Sequence, residues 1–437
     1  MKLVYGISDK PKFSQLIVYG IQQLLAIMAA TITVPMVTGH GMTSNAALFG
    51  AGVGTLVYVL FTKKKSPVFL GSSFAFLGSM AAAFAGAVST EVGYAGLIIG
   101  AIMAGLVYVI IAVVVKFAGV DWIDKLMPKA VIGSTVAIIG LSLSSSAISN
   151  LQTGGTADAS VYACIVCGLF GLAVTMLCST SKKQTLKLIP FIIGILAGYA
   201  LAAVMTVIGT STGNASLIII DFSNFANMGL FVLPEFTFVT AAKGLSQVDG
   251  TYLATLFAAY VPVAFVVFAE HIADHKNISS IIEKDLLRDP GLSRTLLGDG
   301  VGSMAGAFFG GCPNTTYGES IGCVAITGNA SVATIICAAV LCIVISFFSP
   351  FVAFLNSIPS CLMGGVCMAL YGFIAVSGLK MVQDVNLDDN RNLFTVSAIL
   401  IAGIGGLQLS FGAVTITNVA TALILGILTN LMLKNRG

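Results

Sequence analysis

Two short stretches, Pro67-Val-Phe-Leu-Gly-Ser-Ser-Phe-Ala-Phe76 and Pro313-Asn-Thr-Thr-Tyr-Gly-Glu-Ser-Ile-Gly322, decide the fold of this chain. Each begins at a proline and passes through two hydroxyl residues into an aromatic residue. Glycine, serine, threonine and aromatic residues are poor helix formers. The stretches therefore predict short strands at about 70–76 and 314–318 that face each other. Each strand is expected to lead into a half-helix, over 78–88 and 319–328.

The rest of the sequence is typical of a membrane protein. Of the 437 residues, 57% are hydrophobic and 9% are charged, and the mean hydropathy is +1.00. Because soluble proteins carry about 25% charged residues, this composition excludes a soluble enzyme. The net charge of +3 provides no basic patch for nucleic acid. We therefore expect an all-α polytopic protein in the lipid bilayer, where one span takes about 20 apolar residues.

Hydropathy predicts about fourteen spans in two sets of seven, separated by a long loop at about 209–250. The first set covers 15–36, 46–62, 68–86, 95–117, 128–148, 160–179 and 186–208. The second set covers 251–275, 294–312, 314–328, 331–350, 359–379, 392–407 and 415–433. All but one of the 21 lysines and arginines fall on alternate loops, which predicts that both termini are cytoplasmic. Seven spans per set reverse the polarity of the second set, which predicts a 7+7 inverted repeat.

The two unusual stretches occupy the third span of each set, spans 3 and 10. Backbone that is not helical at membrane depth must form hydrogen bonds with protein, water or a ligand. Two interrupted spans in equivalent positions indicate a binding site, with the amides at the start of each half-helix facing the substrate.

Charged residues inside spans are costly, so each one is a functional hypothesis. Glu270 lies near the end of the span at 251–275, and Asp274 lies one helical turn beyond it on the same face. Glu319 follows the second predicted strand. Carboxylates this close in a low dielectric cannot all ionise, so at least one is expected to hold a proton, as a proton symporter requires. Asp299 either belongs to this group or caps the start of its helix.

Other residues whose side chains could react or bind a metal are assigned no function. His271 lies about 100° round the helix from Glu270 and His275 lies at the cytoplasmic edge, so they predict no metal site. Cys164 and Cys167 lie within an apolar span and are interpreted as packing residues. The sequence contains no Walker motif, no dinucleotide fingerprint and no catalytic triad. We therefore predict no cofactor, no ATP-driven transport and no enzymatic activity.

Four segments together resemble the uracil permease branch of the nucleobase–ascorbate transporters, also called nucleobase–cation symporter family 2 or the xanthine/uracil permeases. These segments are Gly71–Phe76, Ala269–Ile272, Lys284–Leu292 and Pro313–Glu319. The resemblance implies a core domain of spans 1–4 and 8–11 and a gate domain of spans 5–7 and 12–14. The core then comprises residues 1–120 and 237–350, and the gate comprises 121–236 and 351–437. The resemblance also implies proton-coupled uracil uptake across the plasma membrane and a homodimer.

The same resemblance implies roles for individual residues. Glu270 and Glu319 would accept hydrogen bonds from the ring N–H groups of the base. Backbone contacts would come from Phe74, Tyr317 and Gly318. Proton coupling would involve Glu270, Asp274 and Glu319.

Three positions depart from the family pattern. Ser320 stands where the family usually has Asn, and Gln22-Gln23 replaces a Gln-His pair. Asp274 occupies a position that is typically His in uracil permeases and Asp in many xanthine and purine members. Glu319 favours uracil, because purine members usually have Gln there. A xanthine or broad-specificity nucleobase symporter therefore remains an alternative, and an inorganic-anion exchanger of the same architecture is a more distant one.

Overall fold

The computed structural model describes residues 3–119, 127–226, 228–411 and 414–434, and most of these residues are helical. Helices of the first half are α1 Phe13–Thr38, α2 Ser44–Phe61, α3 Leu77–Ala85, α4 Thr90–Ala118, α5 Lys129–Ser142, α6 Ser144–Leu151, α7 Val161–Ser179, α8 Gln184–Leu188 and α9 Pro190–Thr212. Those of the second half are α10 Thr237–Gly244, α11 Gly250–Ile282, α12 Leu292–Gly310, α13 Gly318–Thr327, α14 Val332–Ile345, α15 Ser349–Ser357, α16 Ser360–Gln383, α17 Asn390–Ile404 and α18 Asn418–Met432. The strands are β1 Leu70–Ser72, β2 Asn314–Thr316, β3 Leu409–Phe411 and β4 Val414–Ile416.

The apolar helices make this a multi-pass membrane fold. Within the described ranges, 8 helical segments of at least 18 residues are apolar enough to cross a bilayer. Four further apolar segments are shorter, at Phe74–Ala85, Val332–Ile345, Asn390–Ile404 and Asn418–Met432. The count of fourteen spans therefore stays a prediction, because several predicted spans are short or divided helices.

The helices pack into two groups. In the first group, α2 and α4 pack on α12, α1 and α2 pack on α14, and α11 packs on α4. In the second group, α5, α6 and α7 pack on α16, α9 packs on α7, and α17 packs on α5 and α18. Glycines allow the closest approaches in both groups. A Cβ atom at Gly54 would lie 2.7 Å from the Gly302 carbonyl oxygen, and one at Gly133 would lie 2.9 Å from that of Gly378.

Both predicted strands, one in each half of the chain, are present, and they pair with each other. Strands β1 and β2 are antiparallel, with Gly71 opposite Thr315. They are shorter than predicted, because Phe74–Phe76 forms a 3-10 turn and Tyr317 precedes α13. The Ser73 amide donates a hydrogen bond to the Pro313 carbonyl over 2.9 Å, and the pairing stops there because proline has no N–H to return.

The end of the chain differs from the prediction. The span predicted at 415–433 begins at Asn418, because Val414–Ile416 is a strand paired with Leu409–Phe411. Both tripeptides alternate apolar and polar residues, which is a strand pattern. The predicted loop at 209–250 also contains a helix, α10.

Candidate functional site

A cavity of about 370 Å³ lies between the two helix groups. Its first wall belongs to the paired strands, the start of α13 and one face of α11, and its polar members are Ser73, Glu270, Asp274, Thr315, Thr316 and Glu319. The opposite wall belongs to α5, α9 and α16 and is mostly apolar, with Val136, Ile139, Phe191, Leu370, Phe373 and Met381. A polar wall facing an apolar wall suits a flat molecule with polar edges.

All of the residues predicted to bind the substrate or to couple the proton line this one cavity, whereas Asp299 does not. Those that line it are Phe74, Glu270, Asp274, Tyr317, Gly318 and Glu319. The three carboxyl side chains are half-buried, and Gly318 is exposed to the cavity. Phe74 was expected on a strand and lies instead in the turn after β1.

Tyr317 holds the two strands together. Its hydroxyl group donates a hydrogen bond to the Ser72 carbonyl over 2.6 Å, and its backbone N–H donates to the Phe69 carbonyl over 3.2 Å. The ring covers Gly71 so closely that a Cβ atom at position 71 would overlap it. Glycine is therefore required at position 71 for the strand pair to close over the tyrosine ring.

Asp274 is anchored to the second strand. The Thr316 hydroxyl group donates a hydrogen bond to Asp274 Oδ2 over 2.6 Å. Because Glu270 lies one turn earlier on the same cavity-lining face of α11, the bond fixes the position of this acidic face relative to β2. No sequence signal identified Thr316 as the partner of Asp274.

Two of the positions that depart from the family pattern contact each other. The side-chain amide of Gln23 on α1 donates a hydrogen bond to the Ser320 hydroxyl group on α13. The Phe69 amide, just before β1, also donates to Ser320 Oγ, over 3.1 Å. Gln23 and Ser320 are both buried. Ser320 therefore joins α1, α13 and the start of β1 behind the cavity.

A buried polar pair lies behind Glu270. His271 Nδ1 lies 2.6 Å from Asp299 Oδ2. Asp299 is buried about two turns inside α12, so the interpretation as a helix cap is wrong. His275 is also buried: its Nδ1 lies 2.8 Å from the His271 carbonyl and its Nε2 lies 2.7 Å from the Tyr58 hydroxyl. Because a carbonyl only accepts, Nδ1 of His275 carries the hydrogen of the bond to His271.

The described part of the chain contains no group of three or more His, Cys, Asp or Glu side chains arranged to hold a metal. Cys164 and Cys167 are buried free thiols on α7.

Comparison with known proteins identifies the family. Residues 14–411 match the Permease family of xanthine and uracil permeases. The chain belongs to the permease family. It is 38% identical over 438 residues to a uracil permease of Bacillus caldolyticus, covering 100% of this chain and 96% of the relative. It is 36% identical over 440 residues to a uracil permease of Bacillus subtilis (strain 168), with 99% and 95% coverage. The family resemblance predicted from the motifs is therefore confirmed.

The fold has a relative among solved structures. The transmembrane domain of a cyanobacterium bicarbonate transporter, BicA, matches with a TM-score of 0.63 at 15% identity, covering 97% of this chain and 99% of that one. At this identity the likeness concerns the fold alone. The permease family and the apolar helices together identify a multi-pass membrane transport protein.

Proposed function

We propose that this permease is a uracil–proton symporter that takes up the base across the plasma membrane, with both termini in the cytoplasm. One observation carries the proposal. Two carboxylates from different elements, Glu270 on α11 and Glu319 on α13, line the same cavity as the paired strands. The relatives named as uracil permeases, which match over nearly the whole chain, support uracil as the substrate.

Uracil is planar, with N–H donors and carbonyl acceptors around one ring. Glu270 and Glu319 accept hydrogen bonds from its N–H groups. The first amides of a helix have no intrahelical partner, so that of Gly318 is available to a carbonyl oxygen of the base. A Cβ atom at Gly318 would meet open space, so the base can approach this backbone closely. Phe191 and Phe373 on the opposite wall cover the ring.

The proton is carried by the acidic group of Glu270, Asp274 and Glu319. All three line the cavity, and charges so close in a low dielectric oppose one another. Protonation of this group therefore depends on whether a base is bound and on which side of the membrane the cavity opens to. That dependence is what couples the proton to the substrate.

Transport follows from the arrangement of the two helix groups. We assign the first group to a core domain, residues 1–120 and 237–350, and the second to a gate domain, residues 121–236 and 351–437. The core takes spans 1–4 and 8–11 and the gate takes spans 5–7 and 12–14 of a fourteen-span, 7+7 inverted repeat, and two copies form a homodimer. Alternating access then comes from movement of one domain against the other around the base. The position of the cavity between the two helix groups supports this assignment.

A xanthine or broader nucleobase symporter is the second candidate, because Asp274 stands where many purine members have Asp. Glu319 favours uracil over that candidate. An anion exchanger is disfavoured despite the shared fold, since two carboxylates in the cavity would repel an anion.

Ligand-induced thermal stabilisation of the purified protein tests the substrate. A ligand that binds only the folded state raises the melting temperature as its concentration passes Kd. Uracil is expected to raise it most, xanthine less and bicarbonate not at all. Glu270→Gln is expected to lose the uracil effect and to keep the melting temperature of the ligand-free protein. A larger effect of xanthine than of uracil at equal concentration would contradict the proposal.

A further inference from the structure

A second, much smaller cavity lies behind strand β2, between α4 and α12. Its volume is about 10 Å³, close to the minimum that holds one water molecule. Polar residues from three elements line it, namely Tyr108 on α4, Asp299 and Ser303 on α12, and Asn314 and Thr315 on β2. It is separate from the main cavity, but Thr315 lines both.

Three oxygen atoms of these lining residues are deeply buried. They are Tyr108 Oη, Asp299 Oδ1 and Asn314 Oδ1, and their residues are 4%, 1% and 1% exposed. None of the described residues gives these atoms a hydrogen-bond partner. Leaving such atoms unpaired is costly, so native proteins pair nearly all of them, with water where no protein group reaches.

We propose that this cavity is a binding site for one ordered water molecule. The three oxygen atoms match the hydrogen-bonding capacity of water. Asp299 Oδ1 and Asn314 Oδ1 are acceptors and take its two hydrogens, while the Tyr108 hydroxyl donates to its oxygen. A metal ion fits less well, since it cannot accept the tyrosine hydrogen and hard cations require about six oxygen ligands.

The water connects the polar pair behind Glu270 to the strand that forms the main cavity. Asp299 uses its other oxygen, Oδ2, to bond His271, the residue after Glu270. Asn314 begins β2, and its side-chain amide donates to the Gly50 carbonyl over 3.1 Å. The water thus joins α11, through His271 and Asp299, to β2. Tyr108 and Asn314 thereby act as positioning residues for α11 and β2, the two elements on which Glu270 and Thr316 stand.

The direct test is an experimental map of the full-length protein at a resolution that shows ordered water, about 2 Å. The expected result is one density peak within hydrogen-bond distance of Tyr108 Oη, Asp299 Oδ1 and Asn314 Oδ1. The absence of a peak would overturn the proposal. Density that appears only in sodium-containing buffer would also overturn it, because the site would then bind a cation.

A pair of tyrosine variants tests the positioning role, which rests on the proposed function. Tyr108→Phe removes one of the three partners of the water. Tyr260→Phe is the matched control, because its hydroxyl group is also buried without a described partner but does not line the small cavity. Tyr108→Phe is expected to weaken uracil binding by about threefold to tenfold, the loss of one neutral hydrogen bond. Tyr260→Phe is expected to bind uracil like the wild type.

Two readouts keep this test decisive. The water density is expected to weaken in the Tyr108→Phe map and to persist in the Tyr260→Phe map. Equal uracil affinity in the two variants would overturn the positioning role. If the wild type binds no uracil, the proposed function fails, while the density peak still decides the water site.

Discussion

Glu319 stands on the first turn of α13, and its half-buried carboxylate lines the main cavity. An ionised carboxylate only accepts hydrogen bonds, whereas a glutamine side chain both accepts and donates. Uracil presents N–H donors on its ring edge, which match a carboxylate. The identity of this single residue therefore bears on the choice between pyrimidine and purine bases.

Glu319→Gln is expected to weaken uracil binding by about tenfold to a hundredfold, because one hydrogen bond to a charged group is lost. Discrimination against xanthine is expected to relax at the same time. Competition of unlabelled uracil and xanthine against labelled uracil measures both effects. Glu235→Gln, at an exposed position outside the cavity, is the control. An unchanged order of competition with uracil affinity intact would mean that selectivity lies elsewhere.

Asp274 is predicted to influence the protonation of Glu270 rather than to contact the base. Asp274→Asn removes a negative charge one turn away, which makes ionisation of Glu270 easier. The pH of half-maximal uracil uptake is therefore expected to move lower, with little change in substrate ranking. The control is Asp384→Asn, which breaks a surface ion pair with Lys129. A changed ranking at an unchanged pH profile would make Asp274 a direct contact of the base.

At the residue scale, the sequence predicted the cavity-lining acids but not their partners. Glu270, Asp274 and Glu319 stand out because acids are rare in apolar spans. The bond from Thr316 to Asp274 and the bond between His271 and Asp299 link different elements. Nothing in one sequence specifies which buried polar side chains meet across the fold.

At the element scale, the strand pair depends on a glycine under an aromatic ring. A methyl group at Gly71 would overlap the Tyr317 ring, whereas one at Gly78 in α3 would meet nothing within 4 Å. Gly71→Ala is therefore expected to lower stability by about 1–3 kcal/mol and to weaken uracil binding. Gly78→Ala is expected to preserve both, since alanine favours helix. Thermal unfolding with and without uracil compares the two, and equal behaviour would show that the ring moves away without cost.

The sequence predicted the interrupted elements better than the ends of the chain. Prolines and hydroxyl residues at matching positions, in the third span of each set, indicated β1 and β2. The pairing of β3 with β4 escaped prediction because the two tripeptides adjoin apolar spans, where hydropathy alone extends the helix. Helix α10 escaped prediction because its 8 residues are far shorter than a membrane span.

At the scale of the whole molecule, function depends on a cavity that neither helix group forms alone. The polar wall comes from the group around α11 and α13, and the apolar wall comes from the group around α5 and α16. Motifs identified the first wall because it carries acids and strand residues. Phe191 and Phe373, on the second wall, lie in uniformly apolar runs, so no pattern in the sequence distinguishes them from residues that face lipid.

Uptake of labelled uracil into proteoliposomes with an imposed pH gradient tests proton-coupled uracil transport most directly. The wild-type protein is expected to accumulate uracil when the outside is acidic and to lose the accumulation when a protonophore is added. Glu270→Gln is expected to abolish accumulation while the protein still inserts into the membrane. Accumulation that survives the protonophore, or that is normal in Glu270→Gln, would contradict the account.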